Sequence, residues 1–385
     1  MSASVGHEIE AHRGAAAGTT TSWLVASRAA ARLAFGPPLS RTFAIRYWDS
    51  GAVEPGASSN PAFTLVLAHP GSMRRLFLPP SELRLAEAYI YHDIDLEGDL
   101  GAAARVATGV RARLASPGAV LKLMRTVLDL PSIRANGHAA RPSLGDARFS
   151  PRHSRQRDAA AIRSHYDVGN DFYQLFLDRR MIYSCAYYET GAESLDEAQR
   201  AKLEHICRKL RIKPGDRLLD IGCGWGGLIQ HAAAEHGAVA LGITISPAQA
   251  TLAMERIANA GLSDSCQVRL CDYRELGDVE PFDKIVSVGM AEHVGGSMLP
   301  VYFGEVFRHL KPGGLFLNHC ITHDRYEAHP LGRLLLWRAG SFTEKYVFPD
   351  GQLVRIDQLA QMALRTGFEI RDVESLREHY ARTLQ

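Results

Sequence analysis

The sequence predicts an α/β protein: a Rossmann-like, mostly parallel sheet in its C-terminal part, preceded by a small α+β domain. Three observations carry this. The run Leu218-Leu219-Asp220-Ile221 meets the glycine-rich turn Gly222-Cys223-Gly224-Trp225-Gly226-Gly227, and a helical pattern follows from Leu228. Strand, tight turn and helix bring backbone close to a nucleotide-type ligand, with glycine supplying the positive φ. Further apolar runs at 239–245, 266–271, 283–288, 314–319 and 368–374 alternate with helical patterns, which implies a parallel sheet with ligands at the carboxyl ends of its strands. A chain of 385 residues with 46% hydrophobic content can build two cores.

In chain order, residues 1–39 read as a disordered or irregular segment, small and polar over the first 20. Arg28 and Arg32 interrupt 23–35 too often for a signal-peptide core. Residues 40–130 read as a small domain. In it Phe63-Thr64-Leu65-Val66-Leu67 is a strand, Pro80-Ser81-Glu82 opens a helix capped by Ser81, and 120–130 forms a helix suited to a core. Residues 131–160 are a basic linker of Pro, Gly, Ser and Arg without periodicity. Residues 161–385 form the large domain, where Ser246-Pro247 caps and opens a helix. The stretch 322–348 interrupts the alternation and carries Trp337, Phe342, Tyr346 and Phe348. It reads as a loop packed on the sheet or as a lid over an acyl chain.

Net charge is +2, but residues 1–165 hold 20 basic against 13 acidic side chains. Arg134, Arg141, Arg148, Arg152, Arg155, Arg157 and Arg163 supply much of that excess. They form either a solvated linker or a surface drawn to anionic membrane at about 1 kcal/mol per basic residue. Nucleic acid is not expected as a partner, since no nucleic-acid motif accompanies the charge. No run of about 20 apolar residues spans a bilayer. The six cysteines include no Cys-x-x-Cys pair, which suits reduced thiols and neither a metal site nor a disulfide frame. These features suit a cytoplasmic protein.

The glycine loop alone admits a methyltransferase, a dinucleotide binder or a plain α/β domain. The second strand, ending Ile243-Thr244-Ile245-Ser246, lacks the acid that usually grips a dinucleotide ribose. Asp220 at the first strand end could fix a cationic group, and S-adenosylmethionine is a cationic cofactor.

Further motifs are His165-Tyr166-Asp167-Val168-Gly169-Asn170-Asp171-Phe172-Tyr173, Tyr183-Ser184-Cys185-Ala186-Tyr187-Tyr188, Gly289-Met290-Ala291-Glu292-His293 and His379-Tyr380-Ala381-Arg382-Thr383-Leu384. Together with the glycine loop they resemble the cyclopropane-fatty-acid synthase and mycolic-acid methyltransferase family, in order from His165 to the end. Residues 86–100 also resemble the N-terminal module of bacterial cyclopropane synthases. The resemblance implies a class I methyltransferase sheet and S-adenosylmethionine as cofactor. It places Tyr183 and Ser184 at the methionine end, Asp220, Gly222, Gly224 and Gly226 at the loop, Thr244 and Gln249 at the ribose, and Asp272, Tyr273 and Val288 around the adenine. Asp283 reads as structural.

The family acts on a cis alkene within a lipid acyl chain, here expected in unsaturated phospholipid, with the protein peripheral to the inner face of the membrane. Methyl transfer leaves a carbocation, so water must be excluded and a base must remove a proton. The family holds a bicarbonate ion for this. The matching positions are Cys185, Glu292, His319, Ile321 through its backbone, and Tyr380. Singly each has a plain alternative: a buried small side chain, a satisfied histidine, a packing tyrosine. His165 and Asp167 fit a helix cap near the site. Ala291 stands where many members carry an aromatic, which would widen an acyl pocket.

The product stays open between a cyclopropane and a methyl or methylene branch, and a silent lipid- or cofactor-binding relative is the contrasting class. The oligomeric state, a homodimer among the alternatives, is open too. Family members continue past His-Tyr-x-x-Thr-Leu, whereas this sequence ends at Gln385. The expectation is a truncated domain in which a strand at 368–374 lacks its partner and Tyr380 frays.

Overall fold

A computed structural model describes residues 4–49, 53–78, 80–114, 116–132, 149–166, 169–323, 342–348 and 350–385. The chain divides into two units, 1–141 with 327–342, and 142–326 with 343–385.

The first unit opens with α1 (Ser4–Phe35), followed by β1 (Ala44–Arg46), β2 (Val53–Glu54), β3 (Phe63–Leu67), α2 (Ser72–Phe77), α3 (Glu82–Ile90), β4 (Ile94–Gly98), α4 (Leu100–Arg113) and α5 (Pro117–Leu128). Its sheet runs β2-β1-β3-β4. β3 alternates buried and half-buried residues, as expected for a strand with one face on a core. Ser81 accepts from the Arg84 amide at 3.2 Å and starts α3 as predicted. Val120, Leu123 and Val127 bury one face of α5, so this helix is core.

The expected irregular segment 1–39 is corrected. Its alanine-rich sequence forms α1, and Ala30, Ala31 and Ala34 pack into the core. High helix propensity together with a small-residue face that lets helices approach explains the difference.

The second unit contains α6 (Arg155–Tyr166), α7 (Asn170–Gln174), α8 (Leu195–Leu210), β5 (Arg217–Ile221), α9 (Gly227–His236), β6 (Val239–Thr244), α10 (Pro247–Asn259), β7 (Cys266–Leu270), β8 (Phe282–Val288), α11 (Ala291–Val294), α12 (Leu299–His309), β9 (Leu310–His319), α13 (Ile356–Thr366) and α14 (Arg377–Thr383). The sheet order is β7-β6-β5-β8-β9, with all pairs parallel. β5 is central, and the chain winds to β6 and β7 on one side and to β8 and β9 on the other. That reversal opens a crevice at the carboxyl end of β5. Neighbouring residues serve opposite faces: Leu218 packs with α8 and α9, Leu219 with Tyr302, Phe303 and Val306 of α12. Asp283 accepts from the Arg217 amide at 3.0 Å and from Lys311 at 2.9 Å, tying strand starts together.

Four expectations differ from the structure. Residues 368–374 are not a strand; His205 holds Glu374 at 2.8 Å and Lys209 pairs with Asp372 and Glu374, so charge ties this segment to α8. The linker ends earlier than residue 160, because α6 begins at Arg155. Its arginines are in part committed: Arg152 and Arg157 pair with Asp350, and Arg155 with Glu275. Tyr380 does not fray, since α14 is pinned by the Ala186 amide donating to Thr383 Oγ1 at 3.0 Å and the Tyr188 amide donating to His379 Nδ1 at 2.9 Å. Arg134, Arg141, Arg148, Asp167 and most of 322–348, including Trp337, lie outside the described residues. No helix among the described residues is long and apolar enough to cross a membrane.

Candidate active site

A cavity of about 130 Å³ lies at the carboxyl ends of β5, β6 and β8. Tyr183, Ser184, Asp220, Gly222, Gly224, Thr244, Gln249, Asp272, Tyr273 and Val288 line it. Gly226, expected with them, does not. It is the left-handed N-cap of α9, with φ +79°, and a Cβ there would meet Ala253 and Gln230 at 3.3 Å. Its glycine serves the turn.

Gly224 has φ +55°, and a Cβ built on it meets nothing within 4 Å, so this backbone faces open cavity. Gly222, at φ +82°, would bring a Cβ to 3.6 Å from Met290. Thr244 donates to Gln249 Oε1 at 2.8 Å, and both side chains are buried. Asp272 accepts from Arg274 Nε at 2.8 Å and caps the turn carrying Tyr273, whose ring packs edge-on against Tyr302.

The first tyrosine-rich motif builds one wall. Tyr173 donates to the His165 carbonyl at 2.8 Å, and Trp225 of the glycine loop donates to Asn170 Oδ1 at 2.8 Å. Tyr166, Tyr173, Tyr183 and Trp225 pack as one aromatic group, with neighbouring ring centres 5.0–6.2 Å apart. His165 sits in this group against Tyr183 and Phe348; burial draws its imidazole down to about 4.

The five expected catalytic positions stand beside the cavity, and none lines it. Met290, His293 and Val294 line the cavity, while Glu292 on the same turn does not and lies within electrostatic reach of Tyr166. Its Oε1 accepts from the Ile321 amide at 2.6 Å, and its Oε2 is buried without a hydrogen-bond partner among the described residues. Burial raises the Glu292 carboxyl above its ordinary range, against the Ile321 hydrogen bond. The Ile321 amide, expected to hold an anion, therefore already holds this carboxylate. Tyr380 lies within electrostatic reach of Tyr183, Glu292 and Cys185, and burial raises its hydroxyl. The Cys185 Sγ lies 3.7 Å from the Leu376 carbonyl. Burial draws His319 down to about 4, which makes it neutral near pH 7. Lys202 lies within electrostatic reach of both His319 and Cys185.

Lys202 is the functional candidate that the motif reading passed over. It belongs to the buried face of α8, in line with Ala198 and Ile206, and a lysine on an apolar stripe is the signal that marks it. It lines the cavity, is 4% exposed and donates to Ser184 Oγ at 2.8 Å. Beside it burial raises the Asp220 carboxyl to about 7, opposed by the lysine charge. Apart from this cavity, Cys207, His231 and His236 bring ligating atoms within 4.8 Å of one another, and Glu204 accepts from His236 at 2.9 Å. All six cysteines are free thiols.

Comparison with known proteins agrees with this geometry. The model of mycolic acid cyclopropane synthetase matches residues 153–385, and residues 34–109 match DUF7884, a domain of unknown function. A probable fatty acid methyltransferase of Pseudomonas putida is 39% identical over 340 residues, 88% of this chain and 78% of the relative. The cyclopropane-fatty-acyl-phospholipid synthase of Escherichia coli K12 is 40% identical over 63% of this chain and 59% of its own length. The solved structure of mycolic acid cyclopropane synthase CmaA1 with SAH and CTAB superimposes with a TM-score of 0.53 at 35% identity, covering 59% of this chain and 80% of that one. With the fold, the cavity and the ordered motifs in agreement, the chain belongs to the mycolic acid cyclopropane synthetase family of S-adenosylmethionine-dependent methyltransferases.

Proposed function

We propose that the protein transfers the methyl group of S-adenosylmethionine to the cis double bond of an unsaturated phospholipid acyl chain and closes a cyclopropane ring. The observation that carries this reading is the division of labour on one helical turn. Met290, His293 and Val294 line the cofactor cavity, while Glu292 turns a buried carboxyl to the Ile321 amide.

The cavity fits the cofactor. Gly224 leaves space where any side chain would intrude, Asp220 offers a carboxylate to a cationic group, and Tyr183 and Ser184 stand at the wall next to it. When bound, the cofactor supplies an electrophilic methyl group. An alkene is a weak nucleophile, so this chain must align it at contact distance, and the aromatic group around Tyr166 excludes water and offers ring faces to developing positive charge.

Glu292 is suited to relay a proton, since burial favours its protonated form and its Oε2 has no hydrogen-bond partner among the described residues. Neutral His319 and the Tyr380 hydroxyl supply further hydrogen-bonding atoms. A bicarbonate ion held by Cys185, Glu292, His319 and Tyr380, with the Ile321 amide acting through Glu292, would supply the base that removes the ring-closing proton. A carboxyl that donates its own proton can share that cage with an anion, which a charged carboxylate resists.

The Pseudomonas putida relative's description as a probable fatty acid methyltransferase favours a second reading, in which the same chemistry leaves a methyl or methylene branch. Contact with an anionic membrane surface from the cytoplasmic side would deliver either substrate.

The test uses purified protein, S-adenosylmethionine labelled at the methyl group, and vesicles of monounsaturated phospholipid with increasing anionic content. Label should enter the phospholipid acyl chains, faster on anionic vesicles and more slowly in high salt. Label confined to free fatty acid, or absent from lipid, refutes the phospholipid assignment.

A further inference from the structure

Lys202 is a buried cation facing the cavity that the catalytic account leaves unused. Its side chain leaves α8, is 4% exposed and gives one hydrogen bond among the described residues, to Ser184 Oγ at 2.8 Å. An ammonium carries three donors, so two remain for a ligand. Cations are seldom buried without a partner, because desolvation must be offset. The acids that compensate Lys202 are Asp178 and Asp220, with the Cys185 thiol also within electrostatic reach. Asp178 is engaged by backbone, accepting from the Ile182 amide at 2.8 Å and the Arg180 amide at 3.2 Å. Asp220 lines the same cavity as Lys202, is 3% exposed, and sits at the end of β5. One positive and one negative group thus share the wall of one small cavity.

Opposite charges on one wall match a zwitterion. We propose that Lys202 takes the α-carboxylate of the cofactor's amino-acid end, in part through Ser184, opposite the Asp220 carboxylate already assigned to the cationic end. Because the Ser184 oxygen accepts from Lys202, its own hydroxyl proton is directed away and is free to donate to a carboxylate. The lysine is in this sense a positioning residue for Ser184 and a binding residue for the ligand. The proposal rests on the cofactor reading above.

The experiment is calorimetry with two probes, S-adenosylhomocysteine and 5′-methylthioadenosine, which share the thioadenosine part and differ in the amino-acid end. Wild type should prefer S-adenosylhomocysteine. In Lys202→Met, affinity for S-adenosylhomocysteine should fall about ten- to a hundredfold, as for loss of a hydrogen bond to a charged group. Affinity for 5′-methylthioadenosine should stay within about threefold. Ser184→Ala, which leaves the buried cation in place, should show the same selective loss at smaller size, and Lys202→Arg should recover part of it. Equal loss of both probes in Lys202→Met, in protein that still melts cooperatively, would overturn the proposal, because the lysine would then only shape the cavity. Unchanged affinity for S-adenosylhomocysteine would overturn it as well. If wild type binds neither probe, the cofactor reading itself falls, which is a distinct result from either of these.

Discussion

Two glycines of the sheet top separate the cofactor site from the fold beneath it. At Gly224 an added Cβ meets nothing within 4 Å among the described residues beyond its chain neighbours, but φ is +55°. Gly224→Val should therefore cost backbone strain of about 1–2 kcal/mol and place two methyl groups in the cavity. At Gly242, in the middle of β6, a Cβ would stand 2.7 Å from Cys223 Sγ, 2.8 Å from Cys223 Cβ and 3.0 Å from Ile229. Gly242→Ala should cost about 1–3 kcal/mol by overpacking, and it adds nothing to the cavity lining. Both variants should lower Tm, by about 2–4 °C per kcal/mol for a unit of this size. Only Gly224→Val should also weaken S-adenosylhomocysteine binding, by at least about tenfold in calorimetry, or about 1.4 kcal/mol. Wild-type affinity in Gly224→Val would show that the cofactor lies elsewhere. An equal loss in Gly242→Ala would show that the measured effect is general destabilisation.

Glu292→Gln should bind the cofactor as wild type does and lose turnover by about a hundredfold or more, since it keeps the shape and removes the proton relay; assays of binding and product formation on the same preparation separate the two. Thr383→Ala removes the acceptor of the Ala186 amide and should cost about 1 kcal/mol in denaturant unfolding, with a larger fall in activity as the helix carrying Tyr380 loosens. Arg157→Ala leaves the 9% exposed Asp350 side chain with less compensation and should cost about 1–3 kcal/mol near pH 7. Burial pushes the Asp350 carboxyl up, but Arg157 and Arg152 outweigh it and hold it below its ordinary value. That stabilisation is therefore present above about pH 4 and lost as pH falls through the folded value, so melts of wild type and Arg157→Ala should converge in acid.

The parts of the fold most legible in the sequence were those with local causes. Strand β5, the Ser246 cap and strand β3 each follow from short-range pattern, and the structure places them where the pattern does. Helix α1 was missed because its alanines look featureless until they pack against other helices. The segment 368–374 has strand-like residues, yet whether it pairs is decided by distant partners, here Lys209 and His205 on α8. Ten of the eleven expected cofactor positions line one cavity because motifs name residues in order; Gly226 does not, because a glycine's reason, turn or ligand, is a matter of geometry. Lys202 escaped notice because a lysine in a charged helix is ordinary, and only its burial makes it informative.

In the proposed reaction this site adds one carbon to an acyl-chain alkene. The most direct measurement is structural analysis of phospholipid acyl chains, by mass spectrometry with double-bond localisation, in a host lacking cyclopropane lipids that expresses either the wild type or Glu292→Gln. Monounsaturated chains should gain one CH₂ and lose the alkene in the wild type only. A gain of the same mass with an exocyclic alkene would move the protein to the branched-chain reading. Chains of unchanged mass, with wild-type protein folded and binding S-adenosylhomocysteine, would rule out methyl transfer to the acyl-chain alkene.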